Sequence, residues 1–164
     1  MKKVPFIVLV IAAISLGAFL YQKYRIAPGL TPGTIMVQHP DTDEAVTLSS
    51  LHDGILLVNF YASWCGPCMK EMPSIQAGSE YASDITFVGL TDDPQNKIDE
   101  KIKYFNLTFP VYKVVGSMKD QGVHTYPTTY IFDDNKELFN FIGGRDWSEK
   151  KLLDQAQSGN KITE

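Results

Sequence analysis

Two cysteines, Cys65 and Cys68, stand two residues apart in the segment Trp64-Cys65-Gly66-Pro67-Cys68. The segment lies where an apolar run, residues 55–61, gives way to a stretch with helical spacing, so Cys65 is expected at a helix N-terminus. Unpaired backbone N–H groups and the helix dipole stabilise an anion there, which favours a reactive thiolate on Cys65. Cys68 falls about one turn further on, close enough to attack a mixed disulfide held on Cys65 and release reduced product. Two other uses of the pair fit less well. A closed zinc site needs four ligands, and His39, His52 and His124 are scattered without paired spacing. An inert bridge across so short a loop would constrain little of the unfolded chain. Thiol-disulfide exchange is the expected chemistry, with Cys65 as nucleophile and Cys68 as resolving thiol, and with no metal or other cofactor.

Several elements must position that pair. Residues 55–61 form a continuous apolar run, the pattern of a strand buried on both faces. Residues 66–81 follow as a helix with Met69, Met72, Ile75 and Gln76 near helical spacing and a kink expected at Pro73. Residues 85–90 read as a second buried strand. Ile98, Ile102 and Phe105 recur at i, i+4 and i+7 among charged residues, which predicts an amphipathic helix. Residues 128–132 and 137–142, joined by Asp133-Asp134-Asn135-Lys136, predict an antiparallel hairpin, and Ser148 with Glu149 opens a terminal helix running to about Gln157. Residues 35–37 and 45–48 predict a further short hairpin. The expected class is α/β, a central mixed sheet flanked by helices with an N-terminal β-hairpin extension.

The chain has 164 residues and a net charge of −4, with no basic run beyond Lys2-Lys3, so nucleic acid is not an expected partner. The apolar residues 4–21 would extend about 27 Å as a helix, close to the hydrocarbon thickness of a bilayer. A retained membrane anchor is the expected reading. A cleaved signal peptide is the alternative, disfavoured because Leu16-Gly17-Ala18 followed by Phe19-Leu20-Tyr21 is a poor small-residue cleavage site. Lys23 and Arg25 nearly balance Lys2 and Lys3, so loop charge alone does not set the orientation. The expected organisation is a transmembrane helix at residues 1–25, a linker rich in Pro and Gly at 26–33, and one domain at 34–160.

Residues 58–68, followed by Glu71-Met72-Pro73, resemble the signature of the thioredoxin superfamily, specifically its TlpA-like and ResA-like extracytoplasmic branch. So do Leu107-Thr108-Phe109-Pro110-Val111 and the stretch from Gly122-Val123 to Tyr126-Pro127-Thr128-Thr129-Tyr130-Ile131. The resemblance spans residues 35–157 and implies a thioredoxin-like fold. It also implies a cis Pro127 facing the two sulfurs, and a docking surface formed by Trp64, Gly66, Pro67, Tyr126 and Pro127. A core tryptophan is the other reading of Trp64. Glu71 resembles the proton-handling carboxylate of ResA-like proteins, against the plainer reading of an exposed helix glutamate. Asn59 occupies the place where cytoplasmic thioredoxins resemble one another in carrying a buried Asp, which shifts proton handling toward Glu71. Thr128 departs from the Glu that one cytochrome c maturation subgroup places after its cis-proline. Tyr112-Lys113-Val114 and Asn135-Lys136-Glu137 depart from the branch's usual Asp and turn Gly.

The resemblance implies a single-pass protein of the bacterial cytoplasmic membrane, its catalytic domain on the periplasmic or outer face. Such a protein would reduce disulfides of exported proteins, apocytochrome c among the candidates, and be re-reduced by a membrane thiol-transfer protein. An oxidase or isomerase of the same fold, and a non-enzymatic docking module with an incidental disulfide, are the rival readings.

Overall fold

Strand β3 (Ile55–Phe60) takes the centre of the main sheet because its last five side chains are all buried, leaving it no face to present to water. The computed structural model describes residues 3–25, 27–39 and 41–159, with the side chains of 3–6 and 21–25 outside the described residues. β3 pairs in parallel with β4 (Ile85–Thr91) and antiparallel with β6 (Thr128–Asp133). β5 (Val111–Lys113) lies parallel to β4, and β7 (Lys136–Ile142) antiparallel to β6, giving the order β5-β4-β3-β6-β7. This is the expected mixed sheet. Its helices are α2 (Gly66–Tyr81), α3 (Gln95–Phe105) and α4 (Lys150–Gln157).

Helix α2 turns Cys68, Glu71, Met72, Ile75 and Gln76 inward, the i, i+3, i+4 stripe of a core-facing helix. Pro73 inside it has no N–H for the helical ladder. At Gly78 a side chain would run into the backbone carbonyl of Trp147 and the ring of Phe87, so only glycine lets α2 approach this closely. The β6–β7 turn needs one left-handed residue, and Asp134 supplies it at φ 49°.

The N-terminal hairpin joins β1 (Met36–Gln38) to β2 (Ala45–Thr47). Val37 bridges Val114, and Val115 N–H donates to Met36 O at 3.0 Å, so the hairpin partly covers the short β5 edge that solvent would otherwise meet. β5 itself is an addition to the sequence reading. It is three residues long and only half-buried, too short for a periodic signal. Residues 27–33, expected as a linker, lie against the domain. The Tyr130 hydroxyl donates to Pro28 O at 2.7 Å, Ser49 N–H donates to Pro32 O at 3.2 Å, and Ala27 and Leu30 pack on the core.

Helix α1 runs Lys3–Arg25. Among the described residues no helix is long and apolar enough to cross a membrane. The stretch of α1 with described side chains, 7–20, is exposed throughout, but it is shorter than the roughly 20 residues a span requires. The ends of the expected span, 4–6 and 21–22, carry side chains outside the described residues.

Candidate redox site

β3 delivers the chain to the site. Phe60 sits opposite Leu90 of β4 and Thr128 of β6, so the residues after β3, those after β4 and those before β6 meet at one end of the sheet. Three segments thereby converge: 61–68, 92–93 and 124–127. In open α/β sheets this end, beyond the carboxyl termini of the parallel strands, is where ligands bind.

Cys65 is the N-cap of α2, with Pro67 in the first turn, where its missing N–H leaves nothing unsatisfied. Cys68 N–H donates to Cys65 Sγ at 3.2 Å. The helix end therefore points a donor at the sulfur, the arrangement that stabilises a thiolate. The two cysteines form a disulfide, with Cα atoms 5.3 Å apart. Cys65 retains 5% exposure and Cys68 has none. Of the two, only Cys65 can be approached from solvent, and it lines a cavity of about 620 Å³ together with Trp64 and Tyr126. The Tyr126–Pro127 bond is cis.

Trp64 is 74% exposed and meets Tyr126 edge to face at 5.8 Å, which excludes the core-tryptophan reading. The core tryptophan is Trp147. His124 lines the same cavity, as do Asp92, Ser117, Lys119 and Thr125. In sequence, His124 reads as an ordinary surface histidine before Pro127, with the lining of the docking groove as the alternative, and the other four carry no site signal. The signal available was position alone, since ligands gather at this end of the sheet.

Glu71 is 4% exposed, which excludes the exposed-glutamate reading. Its Oε1 accepts from Asn59 Nδ2 at 2.8 Å, and its Oε2 accepts from Trp147 Nε1 and from Arg145 N–H, each at 3.1 Å. Burial pushes the carboxyl above its ordinary pKa, and these three donors, Asn59 foremost, pull it partly back. Asn59 Nδ2 also donates to Thr129 Oγ1 at 2.8 Å, so the amide links α2 to β6 through β3. Glu71 borders a second cavity of about 620 Å³, lined also by Pro67, Lys70 and Gly144. The two cavities thus flank the Cys65–Cys68 turn. His39 and His52 stand apart from the site: His39 Nδ1 accepts from Asp41 N–H at 3.2 Å, and His52 Nε2 meets the Tyr112 hydroxyl at 2.8 Å.

A mixed sheet presenting a Cys-Gly-Pro-Cys disulfide at a helix N-terminus, beside a cis-proline, defines a thioredoxin-like thiol-disulfide oxidoreductase. Residues 34–140 match the AhpC/TSA family, and the chain belongs to that family. It is similar to the thioredoxin-like protein YneN of Bacillus subtilis, 33% identical over 131 residues that make up 72% of this chain and 75% of that protein. It is also similar to the thiol-disulfide oxidoreductase ResA of Oceanobacillus iheyensis, 36% identical over 60% of this chain, a match spanning 54% of that protein. Among solved structures, StoA from Bacillus subtilis shares the fold with a TM-score of 0.58 at 22% identity, covering 77% of this chain and 99% of that one.

Proposed function

We propose that the chain reduces disulfides of exported proteins, Cys65 attacking and Cys68 resolving. The Cys65 thiolate attacks one sulfur of the substrate disulfide. A mixed disulfide forms, and the other substrate sulfur leaves as thiolate. The Cys68 thiolate then attacks Cys65 Sγ, which expels the second substrate thiol and leaves Cys65 and Cys68 oxidised by two electrons. A membrane thiol-transfer reductant restores the dithiol. The observation that carries this reading is the asymmetry of the pair: the sulfur at the helix N-cap borders the cavity, and its partner is wholly buried. A resolving thiol shielded from solvent is committed to the intramolecular step.

Trp64, Gly66, Pro67, Tyr126 and Pro127 form the proposed docking surface. Glu71 is the proposed proton-handling group for the pair, supported by its burial beside the first turn of α2 and its raised pKa. Exported proteins with paired cysteines are the substrate class, apocytochrome c among them. The proposed organisation places the catalytic domain, 34–160, outside the cytoplasmic membrane, tethered by residues 1–25 through the segment 26–33. Support for the anchor comes from the uncharged sequence 4–22 and from the exposure of every described side chain on α1.

Direction is set by the potential. Gly66-Pro67 is the dipeptide of thioredoxin, whose potential of about −270 mV lies about 150 mV below that of the oxidant DsbA. Equilibrating the full-length protein in detergent with dithiothreitol and glutathione should give a value nearer thioredoxin's. A value near −120 mV, with the cysteines trapped oxidised in living cells, assigns the chain to the oxidases instead. A cytoplasm-only reporter that is active when fused at the C-terminus would overturn the orientation.

A further inference from the structure

β3 and β4 run parallel with Phe60 beside Leu90, so the chain leaving each strand emerges next to the other. Asp92 and Asp93 follow β4, and their side chains take opposite tasks. Asp93 is buried. Its Oδ2 accepts from Ser63 N–H at 2.7 Å and from the Thr91 hydroxyl at 2.9 Å, while its own N–H donates to Thr91 Oγ1 at 3.2 Å. Asp92 Oδ2 accepts from Met118 N–H at 3.0 Å, and the Met118 side chain is locked in the core. Ser63 immediately precedes Trp64 and Cys65. Met118 lies in the loop that supplies the facing wall of the Cys65 cavity, with Lys119 and His124. Two consecutive carboxylates thus hold the two walls, each through a backbone N–H.

We propose that Asp93 is a positioning residue for polypeptide substrates: by holding Ser63 N–H it fixes the Trp64–Cys65 wall at a set distance from the wall that Asp92 holds. This rests on the oxidoreductase reading of the same site. Both donors converge on a single oxygen of Asp93. What matters is where that acceptor lies, and the carboxylate's charge is dispensable. An amide carbonyl in the same place does the same work. A carboxylate one methylene further out pushes Ser63 away.

The test uses the full-length protein in detergent, insulin as the disulfide substrate and dithiothreitol as electron source. Turnover by the wild type establishes the oxidoreductase reading, and failure there would count against that reading rather than against Asp93. Asp93→Asn should keep KM for insulin within about twofold of wild type, whereas Asp93→Glu should raise KM about tenfold with kcat changed much less, the size of one lost hydrogen bond. Active-site titration corrects kcat for unfolded protein and leaves KM untouched, so an Asp93→Glu loss that lies wholly in kcat and vanishes on that correction overturns the proposal. Asn impaired as much as Glu, or both variants matching wild type, overturns it as well.

Discussion

The indole Nε1 of Trp147 donates to Glu71 Oε2 at 3.1 Å, tying the segment before α4 to the first half of α2. Trp147 is fully buried, and its own N–H donates to Ser74 Oγ at 3.0 Å, while Ser74 Oγ donates to Glu71 O at 2.7 Å. Five polar groups close a ring beside Pro73, where the proline leaves the helical ladder one donor short. A buried carboxyl is therefore held in one place by donors from α2's neighbours, with Asn59 fixing its other oxygen.

The raised pKa of Glu71 has a definite sign in stability. Its folded value lies above the ordinary 4.5, so the stabilisation it brings is fully present below that pH and is lost as pH rises through the folded value. Glu71→Gln removes this dependence. The urea midpoint of the variant should gain on that of the wild type as pH is raised from about 4 to 8. Gln is accommodated if the Asn59 amide flips, because Asn59 Oδ1 has no partner among the described residues and can accept from the new amide. A difference between the two proteins that stays constant with pH would show that Glu71 titrates normally.

Asn59→Asp should destabilise the protein strongly at neutral pH. It removes both donors, to Glu71 Oε1 and to Thr129 Oγ1, and sets a second carboxyl 2.8 Å from the first. Two such groups cannot both ionise in a buried site. Each buried acceptor left without its donor costs about 1–3 kcal/mol. The deficit should shrink as pH is lowered to 5, because the buried pair retains a proton that the unfolded chain gives up more readily, and urea denaturation at the two pH values measures it. A deficit that is equal at both would place the charges in contact with solvent.

Gly78→Ala sets two effects against each other. Alanine gains up to about 1 kcal/mol of helix propensity. Its Cβ meets the Trp147 carbonyl and the Phe87 ring, rigid groups that cannot give way cheaply. Overpacking costs about 1–3 kcal/mol or more and should win, lowering the thermal midpoint by several degrees. An unchanged or raised midpoint would mean that α2 shifts freely over β4.

Long apolar and periodic segments were legible in the sequence: β3, β4, α2, α3 and the β6–β7 hairpin all stand within a residue or two of where the pattern put them. The cysteine pair was legible as well, because its type and spacing carry the chemistry. Trp64, Glu71, Tyr126 and Pro127 were marked by the family resemblance, but the groups that hold them in place were not legible. β5 is too short to show a period, and Asp92-Asp93 carry no local sign of a role, since only the β3–β4 register brings them beside Ser63. Trp147 gives no local sign that its indole faces Glu71, 76 residues away in sequence. Contacts of that kind belong to the topology, and a one-dimensional pattern does not hold them.

The division of labour between the two sulfurs is tested most directly by trapping. Full-length Cys68→Ala protein, reduced and then mixed with a disulfide-bonded peptide, should accumulate a mixed disulfide through Cys65, read by mass spectrometry of the unreduced digest. The Cys65→Ala protein should accumulate none, because the remaining sulfur is fully buried. Adducts that form as fast through Cys68 in the Cys65→Ala protein would contradict the assignment of Cys65 as nucleophile.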